Sequence, residues 1–183
     1  MDLRTALLSR ASPGKLTEPA PDDAQLELML EAAVCAPDHG RLAPWRFVVL
    51  RGAAREHLAT AMENDLLARH AAATAEERAA ERNKALRSPL LVVVAAALHE
   101  HPKVPLPEQV MATAAAVQNF WLQAHALGFG LMWKTGAAAS SARVKAALAL
   151  APTDVIVGIL HLGTVAVAGT PRLPSVAPVT RRL

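Results

Sequence analysis

The sequence predicts a single domain of alternating helices and strands built around about four strands, and three observations carry that prediction. Its 183 residues fall within the roughly 100–200 residues of one domain. Hydrophobic residues make up 52% and charged ones 19%, enough apolar material to bury a core and too little charge for a disordered chain. Short apolar runs alternate with stretches of helical spacing, so that helices separate each strand from the next. That order allows either a parallel doubly wound sheet or a mixed α+β sheet, and the pattern alone leaves both open.

Taken in order, residues 2–9 read as a short helix, broken by Pro13 and Gly14. Asp22 with Gln25 three residues on forms a capping box for a helix to about Ala36. Leu26, Met29, Leu30, Ala33 and Val34 repeat at helical spacing along it, and Pro37 ends it. The loop 37–44 leads into a strand from Trp45 to Leu50. Residues 53–71 read as helix, and Thr74 with Glu77 caps another that runs to about Leu86. Leu90 to Val94 is a continuous apolar run, as in a central strand covered on both faces. A proline-containing loop, 99–107, precedes a long helix from about Pro107 to Leu127, with Gly128 as its cap. Phe129 to Lys134 reads as a strand, 141–149 as a short helix and Asp154 to Val165 as the last strand. The tail 166–183 carries Pro171, Pro174 and Pro178 and no periodicity, which predicts an extended segment lying on a surface.

Composition excludes several classes. A net charge of +3 is too weak for the clustered basic face of a nucleic-acid binder. Cys35 is the one cysteine, so there is no internal disulfide and no multi-cysteine metal site. The glycine fingerprint of a dinucleotide turn, the P-loop and the Gly-x-Ser-x-Gly elbow are absent. His99-Glu100-His101 sits in a proline-rich loop with no evident third ligand, and a solvated loop is the simpler reading. No apolar signal run opens the sequence, which points to a cytoplasmic location. From Gln109 to Trp133 there is no Asp, Glu, Lys or Arg. Polar residues recur along that run, so a helix buried on most sides, as at a subunit interface, explains it better than a membrane span.

The three Phe and three Trp fall in three places, Trp45/Phe47, Phe120/Trp121 and Phe129/Trp133. Core packing accounts for them; so would convergence on a flat cofactor. Four segments then point to a family. They are Arg10-Ala11-Ser12 after the first helix, the run from Ala36-Pro37-Asp38-His39-Gly40 to Ala43-Pro44-Trp45-Arg46-Phe47, the segment Gly128–Gly136, and the ending Ile156–Thr164. In this order they resemble the FMN-dependent nitroreductase family, closest to its short YdjA-like branch of NAD(P)H nitroreductases, over nearly the whole chain. The resemblance implies an α+β fold with a mixed central β-sheet flanked by helices. It also implies an intertwined homodimer in which both subunits build each FMN site, with residues 1–183 forming one domain.

The resemblance carries over residue by residue. Arg10 and Ser12 match phosphate-binding positions. Arg10 would equally complement the helix dipole, and Ser12 would equally suit a turn. Ala11 stands where the family often has Arg or His, so only its backbone could serve. Cys35 and His39 match contacts supplied by the second subunit, with Cys35 replacing a residue that is often Arg. Trp133, Lys134 and Thr135 match a cofactor-lining segment in which Lys134 keeps the charge of an Arg but loses its fork. Gln123 to Gly128 aligns with a stretch for the nicotinamide nucleotide, although Ala124, Leu127 and Gly128 also suit helix packing and a cap. Lys15 and Lys134 are the candidate cations beside the ring.

The implied function is an FMN-dependent NAD(P)H oxidoreductase of nitroreductase or quinone-reductase type. It would work by a ping-pong mechanism, because no second nucleotide unit is visible. No side chain is required as acid, base or nucleophile, so no catalytic residue and no metal ligand is named. The implied partners are NAD(P)H, a small oxidant and a second copy of the chain, with neither nucleic acid nor membrane. The alternative is a flavin- or small-ligand-binding protein with little turnover.

Overall fold

The computed structural model describes residues 1–172 and 174–181. Its spine is the long strand β5 (Val155–Val167). One edge of β5 pairs with β3 (Leu90–Ala96), whose other edge pairs with β2 (Trp45–Arg51). The opposite edge pairs with β4 (Gly130–Lys134), and the far end of β5 takes up the short β1 (Lys15–Thr17). All four ladders are antiparallel, so a central sheet flanked by helices forms as expected, but the pairing is antiparallel and not mixed. The connections give the reason. Between β2 and β3 the chain makes a helical hairpin, α3 (Ala53–Arg69) and α4 (Ala75–Leu86), and two helices return it to the end from which it left. Between β3 and β4 runs one helix, α5 (Leu106–Ala126), which leaves those strands parallel to each other. β5 enters the slot between them and runs against both.

The sheet separates two cores. Leu90, Val92 and Val94 face α5 and α2 (Asp23–Val34), while Leu91, Val93 and Ala95 face the α3–α4 hairpin. All seven residues of β3 are buried, which explains why it reads as an unbroken apolar run. α1 (Leu3–Ser9) is capped by Asp2, and both predicted capping boxes form, Asp22 with Gln25 and Thr74 with Glu77. α5 turns Ala112, Ala116, Val117, Phe120 and Ala124 to the core and leaves Met111 66% exposed on its other face. Among the described residues no helix is long and apolar enough to cross a membrane.

Four features lie outside the sequence reading. β1 is three residues long, too short to show a period. The stretch Gly136–Ser140, unassigned in the sequence, forms α6, directly before α7 (Ala142–Ala147). His39–Arg41 makes a 3₁₀ turn inside the predicted loop, with Gly40 at φ 76°. The last strand runs to Val167, and Ala177–Val179 form a 3₁₀ turn in the predicted tail; its Leu173, Arg182 and Leu183 lie outside the described residues.

Candidate functional site

A cavity of about 420 Å³ opens where β4 runs into α6. Its apolar floor comes from Leu58 and Met62 of α3, Ala85 of α4 and Ile159 of β5. Trp133, Lys134 and Thr135 form one wall. The Trp133 indole N–H donates to the Val157 carbonyl at 2.9 Å, and its ring lies over Gly158, where a Cβ would overlap it. Beyond Thr135, Gly136 adopts φ +61°, a left-handed turn that glycine makes at least cost. The segment is tied down at its far end, where the Ser141 hydroxyl donates to Asp65 at 2.6 Å and Arg69 bonds the other carboxylate oxygen at 2.8 Å. Burial alone would raise the Asp65 pKa; the bonds from Ser141 and Arg69 outweigh it and hold the carboxyl below its ordinary value.

The lining also carries charge. Lys84 pairs with Glu81 at 2.6 Å, whereas Arg87 and Lys134 make no ion pair among the described residues. Behind them His161 is 2% exposed, with Nδ1 2.9 Å from the Ser88 hydroxyl and Nε2 3.4 Å from the Arg87 guanidinium. Burial, reinforced by the charges of Arg87 and Lys134, lowers its pKa to about 3. His161 is therefore neutral near pH 7.

The other predicted residues form two groups at opposite ends of α5. At its C-terminal end, the Arg10 guanidinium stacks on Trp121, 4.1 Å from the ring centroid, and makes no ion pair among the described residues. Ser9 bonds His125 at 2.8 Å; burial and the Arg10 charge lower the His125 pKa. The backbone at Ala11 and Ser12 runs against Gly169, where a Cβ would strike the Ser12 carbonyl. At the N-terminal end, His39 lies 2.6 Å from Glu108, and Cys35 is exposed at the C-cap of α2. Between Glu108 and Trp121 the helix rises about 20 Å at 1.5 Å per residue. One chain thus keeps Cys35 and His39 apart from Arg10, Ala11 and Ser12. The sequence does not single out Trp121, Arg87 or His161 as site residues: Trp121 reads either as core or as one of the aromatics converging on a flat cofactor, His161 stands unassigned in the Ile156–Thr164 motif, and Arg87 leaves no signal.

A sequence model of the Nitroreductase family matches residues 7–164, and the chain belongs to that family. Over 164 residues it is 39% identical to the Escherichia coli (strain K12) protein named "Putative NAD(P)H nitroreductase YdjA", covering 90% of this chain and 88% of that one. A Haemophilus influenzae protein, "Putative NAD(P)H nitroreductase", is 33% identical over 171 residues, covering 90% of this chain and 89% of the relative. Among solved structures, a nitroreductase-like family protein from Bacillus cereus superposes with a TM-score of 0.83 at 28% identity, covering 100% of this chain and 96% of that one. A Desulfovibrio desulfuricans protein described as "a putative nitroreductase in complex with fmn" shares the fold, with a TM-score of 0.76 at 24% identity, covering 98% of this chain and 95% of its own. The fold and the family together define an oxidoreductase of the nitroreductase type.

Proposed function

We propose that the chain is an FMN-dependent NAD(P)H oxidoreductase that reduces nitroaromatics or quinones as a cytoplasmic homodimer. The observation that carries this reading is the cavity walled by Trp133, Lys134 and Thr135 in a chain of this family. The donor set suits FMN. A phosphate dianion calls for fixed cations and hydroxyls, and Arg10 offers a guanidinium that no carboxylate neutralises among the described residues. When bound, FMN supplies the redox chemistry, accepting hydride at N5 from NAD(P)H and giving electrons to the oxidant.

The side chains position and bind. Arg10 and Ser12, with the Ala11 backbone between them, hold the phosphate. Trp133, Lys134 and Thr135 line the ring, and Lys134 and Lys15 set a positive field beside it. Cys35 and His39 reach the site from a second copy. Two α5 helices running antiparallel would bring the N-terminal end of one beside the C-terminal end of the other, spanning the 20 Å or so that separates these groups within one chain. Lodged between two subunits, the half-exposed face of α5 with Met111 would lose its contact with water.

The test is spectroscopic and kinetic. Purified protein should be yellow or become so with FMN, and NADH or NADPH should bleach it without oxygen. With one site for both substrates, double-reciprocal plots at several oxidant concentrations should be parallel. Intersecting plots would require a ternary complex and a second nucleotide site. A flavin that binds but is never reduced would leave the reading of a binding protein.

A further inference from the structure

Two side chains that line the cavity, Arg87 and His161, form with the buried Ser88 a connected string that the proposed function leaves unused. Arg87 is the C-cap of α4, where its own backbone N–H bonds the Asn83 carbonyl, so its position is fixed by the helix end. The ring of His161 stands behind it, on a β5 residue opposite Leu91 on one side and Met132 on the other. The hydrogen bonds assign the ring. Ser88 Oγ reaches the Leu90 carbonyl at 3.3 Å and so donates there. It then accepts from His161 Nδ1–H at 2.9 Å, which leaves His161 Nε2 as an acceptor facing the Arg87 guanidinium at 3.4 Å. One N–H of Arg87 is held from behind; the others have no carboxylate partner among the described residues. Lys134 lines the same cavity, also unpaired, and both cations act on the His161 ring. The one acid in the lining, Glu81, is occupied by Lys84.

We propose that this wall is a built subsite for a planar anion, with Arg87 as its fork, Lys134 as a second charge, and His161 and Ser88 as positioning residues. A guanidinium matches two acceptor atoms in one plane, which an ammonium does not, and the apolar floor of Leu58, Met62 and Ile159 would take an aromatic body. Two sources supply this chemistry: the carboxylate of an aromatic oxidant, or the pyrimidine edge of the flavin ring, which becomes anionic when the flavin is reduced. The subsite shares its cavity and Lys134 with the flavin reading; the flavin arm rests on that reading, and the oxidant arm does not.

The probe is benzoate, titrated into the full-length chain with and without FMN and followed by the carboxylate 13C shift, with melting curves on every variant. FMN-free protein should bind benzoate saturably. Arg87→Gln should weaken binding about tenfold or more, Arg87→Lys less, and Ser88→Ala a few-fold by loosening the ring behind the fork. Arg143→Gln, outside the cavity, should change nothing. If saturating FMN displaces benzoate, the flavin ring occupies the subsite, and Arg87→Gln should then lower the midpoint potential of the bound flavin, because the anion appears on the ring only when it is reduced. If benzoate binds the FMN-loaded protein equally well, the anion belongs to the oxidant. Absence of saturable binding overturns the subsite, as does a normally melting Arg87→Gln that binds benzoate like the wild type. Should Arg87→Gln not fold, unchanged affinity in Arg87→Lys overturns it instead. A colourless chain that still binds benzoate through Arg87 would sink the flavin reading and leave the subsite standing.

Discussion

Asp65 of α3 and Ser141 at the start of α7 are 76 positions apart, and their side chains meet at 2.6 Å in a buried contact. Ser141 Oγ also accepts from the Val144 backbone N–H at 3.2 Å, so one hydroxyl caps α7 and ties it to α3. The segment that lines the cavity, Lys134 to Ala138, is thereby held at both ends, by β4 and by this bond.

Ser141→Ala should cost about 1–3 kcal/mol, since it leaves a buried carboxylate oxygen and a helix end unpartnered. Asp65→Ala should cost more, because Arg69 also loses its partner. The Asp65 carboxyl titrates below its ordinary value of 3.8 when folded. Its contribution is therefore complete above that value and lost as pH falls through the lower folded value. Urea titrations of the two variants at neutral pH check the magnitudes; a Ser141→Ala protein as stable as the parent would mean that the tie carries no stability.

His161 has the opposite charge type but the same pH direction. Its folded pKa of about 3 lies below the unfolded 6.5, so the unfolded chain takes up the proton first. Stability from the neutral ring is complete above pH 6.5 and falls as pH drops toward 3, at about 1.4 kcal/mol per unit. Between pH 7 and pH 5 the loss should be about 2 kcal/mol. Denaturation midpoints across that range should fall less steeply in His161→Gln by the equivalent of about one proton; equal slopes would place the titration elsewhere.

Arg10→Ala should weaken FMN binding about ten- to a hundredfold, the worth of one charge-assisted phosphate contact. The fold should survive, because stacking on Trp121 contributes only about 0.5–1 kcal/mol at a half-exposed site. Fluorescence titration measures the first effect and thermal melting the second. Undiminished affinity would remove Arg10 from the phosphate site.

Met111→Glu should convert a dimer into monomers of 19.3 kDa. The side chain is 66% exposed on one chain, so the substitution costs an isolated subunit little, while a charge facing its own copy across an interface would be costly. Light scattering reads the change. A dimer that tolerates the glutamate would mean that this face of α5 is not the contact.

Much of the fold was legible because its elements announce themselves locally. Asp22 and Gln25, Thr74 and Glu77, and the apolar run at Leu90 each signal an element within a few residues. Strand direction did not, since it depends on α3 and α4 folding back as a pair and on β5 entering between β3 and β4. α6 was invisible for a related reason: Gly136-Ala-Ala-Ala-Ser140 has little patterning, and its place depends on Asp65, far away in sequence. For the site, the family motifs drew attention to Trp133, Lys134 and Thr135, which do line one cavity. Arg87 lies in no motif, and His161 lies inside the Ile156–Thr164 motif without a role assigned to it. A basic residue at a helix end and a histidine in an apolar strand read as ordinary until the ladder sets them side by side.

β5 also bears on the order in which the protein can be assembled. A chain leaving the ribosome presents β2 and β3, and then β4, before residues 155–167 emerge. Until those residues arrive, β3 has a bare edge of unbroken Leu, Val and Ala, and β4 has no ladder partner at all. Such an edge recruits strands from other chains. The nascent protein should therefore depend on holding factors late in synthesis, and a ribosome stalled before residue 155 should release an aggregating fragment, however stable the finished molecule is.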